Sequence, residues 1–478
     1  MSRVQSNRLV VVIVLIIVAW GVTLFDWNRL REARQQPPPG ETACSPSLAA
    51  TTIKDIGIIP QDLGPFAAAF NQAMSPEEQN QAGQQFHQQY FAPWKASAPL
   101  FDVNTMTEGL QLLATKTWYG ENRQRVESDR LQHLLTLADL AHLPSMNKSG
   151  VVIKPHYIRV LPTIRPLYET PEDFPFDHLQ FSEIKPNEPI RILHASKDGA
   201  WLYIETSYAN GWVEPDAVRL ADASVQSRLV NAAHIVVVKD FAEVQTEDGA
   251  LPQPKIGTLY SLVQEEADHW LVEVAVAGDN QHAALALARI AKSDARRHPL
   301  PFTPETVTLI GNELLKTPYG WGELYRNRDC SATTRDFFHA FGIWLPRNSK
   351  KQITSGPLVS LANLSNADKA TRIREQGIPF RTLLHQKGHI MLYIGLYENK
   401  PIILHTAWGL RYKPESCPEQ KIIIGRTILS SLEAGMELPL SKGTILERLD
   451  AMLLLPVNPN SPKGIESAGK REGLRTVP

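Results

Sequence analysis

The sequence predicts an α+β multidomain chain in which a helical block, two small β-barrels and a mixed helix-and-strand block follow one another. Three observations carry this. The 478 residues exceed one core, since domains hold roughly 100–200 residues, and imply three or four units. Hydrophobic residues at 43% and charged residues at 21% sit near globular averages, which argues against global disorder, collagen-like repeats and a polytopic membrane protein. The texture also changes twice along the chain. Helical periodicity gives way near Val151 to short alternating runs, and near Pro301 to a mixture of both.

Charge and cysteine count narrow the function classes. Lys+Arg of 49 against Asp+Glu of 50 leaves a net charge of -1, without the basic excess of a nucleic-acid binder. Cys44, Cys330 and Cys417 are too few for a disulfide scaffold and too scattered for a zinc site. At most one disulfide is possible, so at least one thiol is left over.

Residues 1–44 read as a signal anchor and linker. Arg3 and Arg8 precede an uncharged run from Leu9 to Phe25, and seventeen helical residues span about 26 Å, the short end of a bilayer crossing. No small-residue cleavage site closes the run, which favours an uncleaved anchor over a removed signal peptide. Pro37-Pro38-Pro39-Gly40 then forms a linker.

Residues 45–150 are expected to be helical. Gln79, Gln81, Gln84, Gln85, Gln88 and Gln89 supply solvent faces around Phe86 and Tyr90, and Leu131, Leu134, Leu135 and Leu137 supply a buried stripe. Residues 151–222 and 230–295 read as two β-barrels, with runs such as Ile190-Arg191-Ile192-Leu193 and His234-Ile235-Val236-Val237-Val238. Both place an acidic residue just before a Trp-Leu strand, Asp198 before Trp201 and Asp268 before Trp270, a hint of duplicated modules. Residues 300–456 mix helix and strand, and the polar tail 457–478 is expected to be disordered.

The chemistry concentrates in the mixed block. After the turn-rich segment Thr317 to Glu323, Asp329-Cys330-Ser331 opens a helix whose Phe337, Phe338 and Phe341 share a face and which Gly342 stops. A cysteine at a helix N-terminus meets unpaired N–H groups and the macrodipole, which favour the nucleophilic thiolate. Such a nucleophile needs a base and a group to orient it. His389 heads the strand through Gly395, and His405 ends its hairpin partner from Pro401. A register centred on Tyr397 sets the two histidines directly opposite; a slip of one residue sends them to opposite faces.

The run Pro318-Tyr319-Gly320-Trp321-Gly322 through Arg328-Asp329-Cys330-Ser331, then Leu345-Pro346-Arg347-Asn348-Ser349 and Gly388 to Gly395, resembles the NlpC/P60 cysteine peptidases. Phe91-Ala92-Pro93-Trp94, Phe174-Pro175-Phe176-Asp177 and Ser196 to Trp201 extend the resemblance to the branch with an N-terminal stabilising domain and two bacterial SH3-like barrels.

The resemblance implies a papain-like catalytic domain with Cys330 as nucleophile, His389 as base and His405 as the residue orienting it. It implies peptidoglycan stem peptides as substrate, cut at the γ-D-glutamyl-diamino acid bond. Tyr319, Asp329 and Ser331 match positions that receive the L-alanine end, with Asp329 on its free amine, and Trp321 is an aromatic wall. Glu323 stands where a second glycine is common, so the loop is expected to differ locally in shape. No metal or organic cofactor and no nucleic acid is expected. The chain is expected to be a monomer on the periplasmic side of the inner membrane, where Cys44 and Cys417 are free to pair. A non-catalytic wall-binding protein and an amidase or acyltransferase with the same triad are the alternatives.

Overall fold

The computed structural model describes residues 53–70, 73–113, 115–415 and 417–456. The expected anchor Leu9–Phe25, Cys44 and the tail 457–478 lie outside them. Among the described residues no helix is long and apolar enough to cross a membrane. Cys330 is a free thiol and Cys417 is disulfide-bonded.

The N-terminal block is helical because its local signals are strong. Ser75 caps the helix Pro76–Tyr90 through a reciprocal pair, Glu78 N to Ser75 Oγ at 3.1 Å and Ser75 N to Glu78 Oε2 at 2.8 Å, with Pro at the first position. Ala82, Phe86 and Tyr90 line its buried face at four-residue spacing. That face does not close a core of its own. Phe86 and Tyr90 join Phe302, Phe337, Phe338 and Phe341 of the mixed block in one apolar cluster. A second cluster takes Leu131 and Leu134 of helix Ser128–Ala138, with Leu135 at its margin; Leu137 falls outside it, and Ala138 extends the buried stripe.

Two seven-stranded antiparallel sheets follow, one between Lys148 and Leu220 and one between His234 and Arg297. Counted within each block, the strand order is 3-2-6-5-4-1-7 in both. The shared order turns the paired Trp-Leu signals into equivalent positions, since Trp201 immediately precedes the fifth strand of the first sheet and Trp270 lies at the start of the fifth strand of the second. Their environments differ. Trp201 packs with Tyr203 and Trp212 against Ala138 and Leu143 of the helical block, whereas Trp270 fills its own barrel.

Among its described residues the mixed block contains five α-helices: α1 Pro304–Leu315, α2 Cys330–Ala340, α3 Ser349–Ile353, α4 Asn366–Gln376 and α5 Ile445–Arg448. Its strands are β1 Leu358–Ser360, β2 Thr382–Gln386, β3 His389–Tyr397, β4 Lys400–Tyr412, β5 Gln420–Ser431 and β6 Ala451–Leu454, ordered β1-β6-β2-β3-β4-β5 and antiparallel throughout. One face of this sheet packs Ile390, Leu392 and Leu404 against α2. The other packs Met391, Tyr393 and Ile403 against Ile445 and Leu446 of α5. The helix α2 is buried along its length after Cys330, and Gly342 takes φ +72° just beyond its end.

Candidate active site

Asp329 caps α2 by accepting from Ala332 N at 2.9 Å, which sets Cys330 at the first turn. The backbone N–H groups of Ile390 and Ser331 point at the sulfur and favour its ionised form, as does Arg347. Burial and the Asp329 charge outweigh them and push the thiol up to about 12. The N–H groups at the helix start thus favour the thiolate, while burial and the neighbouring Asp329 oppose it.

The register of the histidine strands also differs from expectation. Tyr397 pairs with Lys400 across the two-residue turn Glu398-Asn399, not about a centre on Tyr397. Continued unbroken, that register would send His389 and His405 to opposite faces. Ile394 is an extra residue between the Tyr393–Ile403 and Gly395–Ile402 pairs, and this bulge shifts the register by one. Leu392 then faces Leu404, and His389 meets His405 diagonally rather than directly. His389 Nε2 lies 2.9 Å from His405 Nδ1, and His405 Nε2 lies 3.0 Å from Ser430 Oγ. Burial first, then the nearby Arg448 and His385, push His389 down to about 4. Burial, followed by His389, holds His405 well below the ordinary imidazole value.

The structure brings the remaining expected residues together around this centre, with a change of role for one. Asp329 is already saturated: its oxygens accept from Ala332 N, from Ser331 Oγ at 3.2 Å, from Gly322 N at 3.1 Å, and from Arg347 Nη1 at 3.1 Å and Nη2 at 2.7 Å. A carboxylate offers about four lone-pair sites, so Asp329 is occupied as a cap and as the bidentate partner of Arg347. Ser331 Oγ also accepts from Arg347 Nη1 at 2.9 Å. The Tyr319 hydroxyl is held well above its ordinary value by burial, Asp329 and Cys330, which puts it within electrostatic reach of the thiol. Trp321 donates through Nε1 to Asp177 O at 3.0 Å.

Several residues of the site escaped the sequence reading. Phe176 of the first barrel stands 5.1 Å from Trp321, 6.3 Å from Tyr319 and 6.2 Å from Trp408, centroid to centroid, so the barrel supplies one wall of the aromatic cluster. Trp408 sits at an irregularity in β4, between the pairs Ala407–Arg426 and Gly409–Ile423, and lies 5.5 Å from Tyr319. Its signal in the sequence was a tryptophan three residues past His405; only the bulge explains its aim. Arg448 and Ser430 carried no signal, because both reach the histidines through the fold.

Barrel and catalytic block are joined by a buried ionic network. Gly322 and Glu323 take φ +56° and +65°. A side chain at Gly322 would strike Gln180 O at 2.6 Å, so that position requires glycine. Glu323 adopts the left-handed conformation that glycine adopts freely, and its fully buried carboxylate accepts from Ser182 Oγ at 2.7 Å and Glu183 N at 3.2 Å in the barrel, and from Arg335 Nη2 at 2.8 Å. Lys255 of the second barrel stands 3.8 Å away and pairs Glu183 at 2.8 Å. Asp336 binds Lys185 at 2.6 Å, Arg335 at 2.9 Å and Arg328 at 2.8 Å, and Arg328 reaches on to Asp240 of the second barrel. The departure from a second glycine thus leaves the loop its glycine-like backbone and adds an anchor between domains.

A cysteine at a helix N-terminus, set against coupled histidines on an antiparallel sheet and bordered by a β-barrel, defines the papain-like class of the mixed block. Residues 316–417 match the NlpC/P60 family, residues 12–142 its N-terminal stabilising domain, and residues 166–214 an SH3 domain of the SH3b1 type. The chain thus carries an NlpC/P60 domain together with that family's N-terminal stabilising domain and an SH3 domain. A solved NlpC/P60 endopeptidase from Photobacterium damselae subsp. piscicida shares the fold at TM-score 0.74 and 21% identity, covering 84% of this chain and 98% of its own. An NlpC/P60 family protein from Bacillus cereus aligns at TM-score 0.43 and 15% identity over 64% of this chain and all of its own. A search of curated proteins gives no match.

Proposed function

We propose that the protein is a cysteine peptidase that cuts peptidoglycan stem peptides at the γ-D-glutamyl-diamino acid bond. The observation that carries this reading is the coupled pair His389–His405 beside a thiol that draws the N–H of Ile390, the residue next to His389. With the thiol near 12 and His389 near 4, the resting pair is neutral. Proton transfer to His389 then accompanies attack of Cys330 on the scissile carbonyl instead of preceding it. His389 returns the proton to the leaving amine, and a water activated by the same ring hydrolyses the thioester. Backbone N–H groups at the start of α2 are suited to the developing oxyanion.

The aromatic cluster that Phe176 closes supports a narrow cleft for short free peptides. Tyr319, Trp321 and Ser331 are the proposed contacts for the L-alanine end. Asp329 acts there through Arg347 and Ser331, because its own oxygens are taken. The apolar run Leu9–Phe25 favours an envelope location, with the catalytic block on the periplasmic side. The test is hydrolysis of a purified L-Ala-γ-D-Glu-diaminopimelate peptide followed by mass spectrometry. Cys330→Ala is expected to abolish cleavage with the fold retained, and residual hydrolysis at the wild-type rate would sink the assignment.

A further inference from the structure

The contact between His389 and His405 leaves open which ring donates. An imidazole nitrogen donates or accepts according to its tautomer, so the histidine pair by itself is compatible with two opposite proton arrangements. In one, His389 Nε2–H donates to His405 Nδ1 and the Nδ1 of His389 is a bare lone pair. In the other, His405 Nδ1–H donates to His389 Nε2, and the neutral His389 carries its proton on Nδ1. Only the first can take a proton from a thiol.

The sheet continues the pair into a third strand. Ile403 pairs with Ser430 and His405 pairs with Ile428, so Ser430 lies diagonal to His405 as His405 lies diagonal to His389. The three side chains form a line across β3, β4 and β5, with contacts of 2.9 Å and 3.0 Å. At its far end the Ser430 hydroxyl donates to the carbonyl of Ser431 at 3.0 Å. A carbonyl accepts only, and a hydroxyl has one proton. With its proton on that carbonyl, the Ser430 oxygen is left as an acceptor towards His405, which then donates from Nε2. Ser430 is fully buried and His405 is 4% exposed, so the far end of the line is shielded from solvent, and it opens only at the half-buried His389.

We propose that Ser430 is a positioning residue: anchored on the Ser431 carbonyl, it fixes the protons of His405 and then of His389, so that His389 presents Nδ1 as the bare proton acceptor. The inference rests on the peptidase reading only for its catalytic consequence. Its structural content concerns the protons alone. A Ser430→Ala variant leaves a buried Nε2–H without a partner, which favours the opposite tautomer of His405 and places a proton on His389 Nδ1. The neutral pair then has no site for the thiol proton.

The decisive measurement is 15N NMR of the imidazole nitrogens in full-length protein labelled at histidine, with His389→Gln and His405→Gln spectra for assignment. The wild type is expected to show both rings protonated on Nε2. A proton on His389 Nδ1 overturns the proposal without any variant. On the L-Ala-γ-D-Glu-diaminopimelate peptide, Ser430→Ala is expected to lower kcat roughly ten- to hundred-fold, the range for one buried donor left unpaired, with KM within about two-fold. Ser430→Thr, which keeps the hydroxyl, is expected to restore the Nε2–H tautomers and most of kcat. A Ser430→Ala enzyme with wild-type kcat overturns the proposal, as does an Ala variant whose His405 keeps its Nε2 proton. Failure of the wild type to cleave the peptide would sink the peptidase reading, while the spectra still decide the role of Ser430.

Discussion

Replacing Glu323 by glutamine keeps the size and backbone of the residue and removes one charge from the joint between the barrels and the catalytic block. Glu323 is fully buried and meets Arg335 at 2.8 Å, Arg347 at 3.3 Å and Lys255 at 3.8 Å. Burial works against its ionised form, but Arg335, then Arg347 and Lys255, hold it well below the ordinary carboxylate range. Breaking a buried pair from one side costs about 3–5 kcal/mol, because the partner charge stays behind. Arg335 and Arg347 retain Asp336 and Asp329 respectively, which places the expected loss at the lower end, about 3 kcal/mol. At about 2 °C per kcal/mol for a large cooperative unit, Tm falls by about 6 °C. Differential scanning calorimetry of wild type and variant at neutral pH measures it. Glu323→Gly serves as the control: it relieves a left-handed backbone worth roughly 1 kcal/mol or more yet still loses the anchor. A Glu323→Gln shift under about 1 °C, or a Gly variant more stable than the wild type, refutes the argument that this charge ties the domains together.

Three further outcomes follow from the same geometry. With the thiol at about 12, its ionised fraction at pH 7 is 10 to the power 7 minus 12, about one part in 10^5. Alkylation of Cys330 by iodoacetamide is expected to be slow at neutral pH and to rise about tenfold per pH unit, whereas a plateau below pH 8 contradicts a neutral resting pair. Arg448 helps to depress His389, so Arg448→Ala is expected to raise that pKa and move the acid limb of kcat/KM to higher pH; a limb that stays or moves down counts against the assignment of His389 to it. Glu323 and Asp336 both have folded values below their unfolded ones. The stability they contribute is present above about pH 4.5 and is lost as pH falls below it towards their folded values. Thermal melts between pH 6 and pH 2 are expected to fall steeply over that window, and a flat Tm would falsify the account.

Cys330, His389 and His405 were legible in the sequence because each sits in a local context that survives in one dimension: a helix start, a strand head, a strand end. Their mutual geometry was not. The reading that set the two histidines opposite assumed an unbroken ladder, and a ladder with this turn would have separated them. Ile394 restores the match, and nothing in Tyr393-Ile394-Gly395 announces a bulge with enough force to predict one. The protein partners of Asp329 were hidden for a related reason. In sequence the carboxylate beside the nucleophile is accounted for by a substrate amine, yet Arg347, eighteen residues on, bonds both of its oxygens.

The sequence by itself determined the division into helical, barrel and mixed blocks, since these follow from periods of 3.6 and 2 that neighbouring residues enforce. It also determined the chemical identity of the thiol and the imidazoles. Tertiary structure alone decided that the helical block lends Phe86 and Tyr90 to the catalytic core, that Phe176 of the first barrel walls the aromatic cluster, and that Lys185, Glu323, Arg335 and Asp336 are buried. Charged residues read as surface in one dimension because burial of a lone charge is prohibitive. They become interior only where several domains bring opposite charges within about 3 Å at once, and that coincidence is a property of the packed fold rather than of any segment of it.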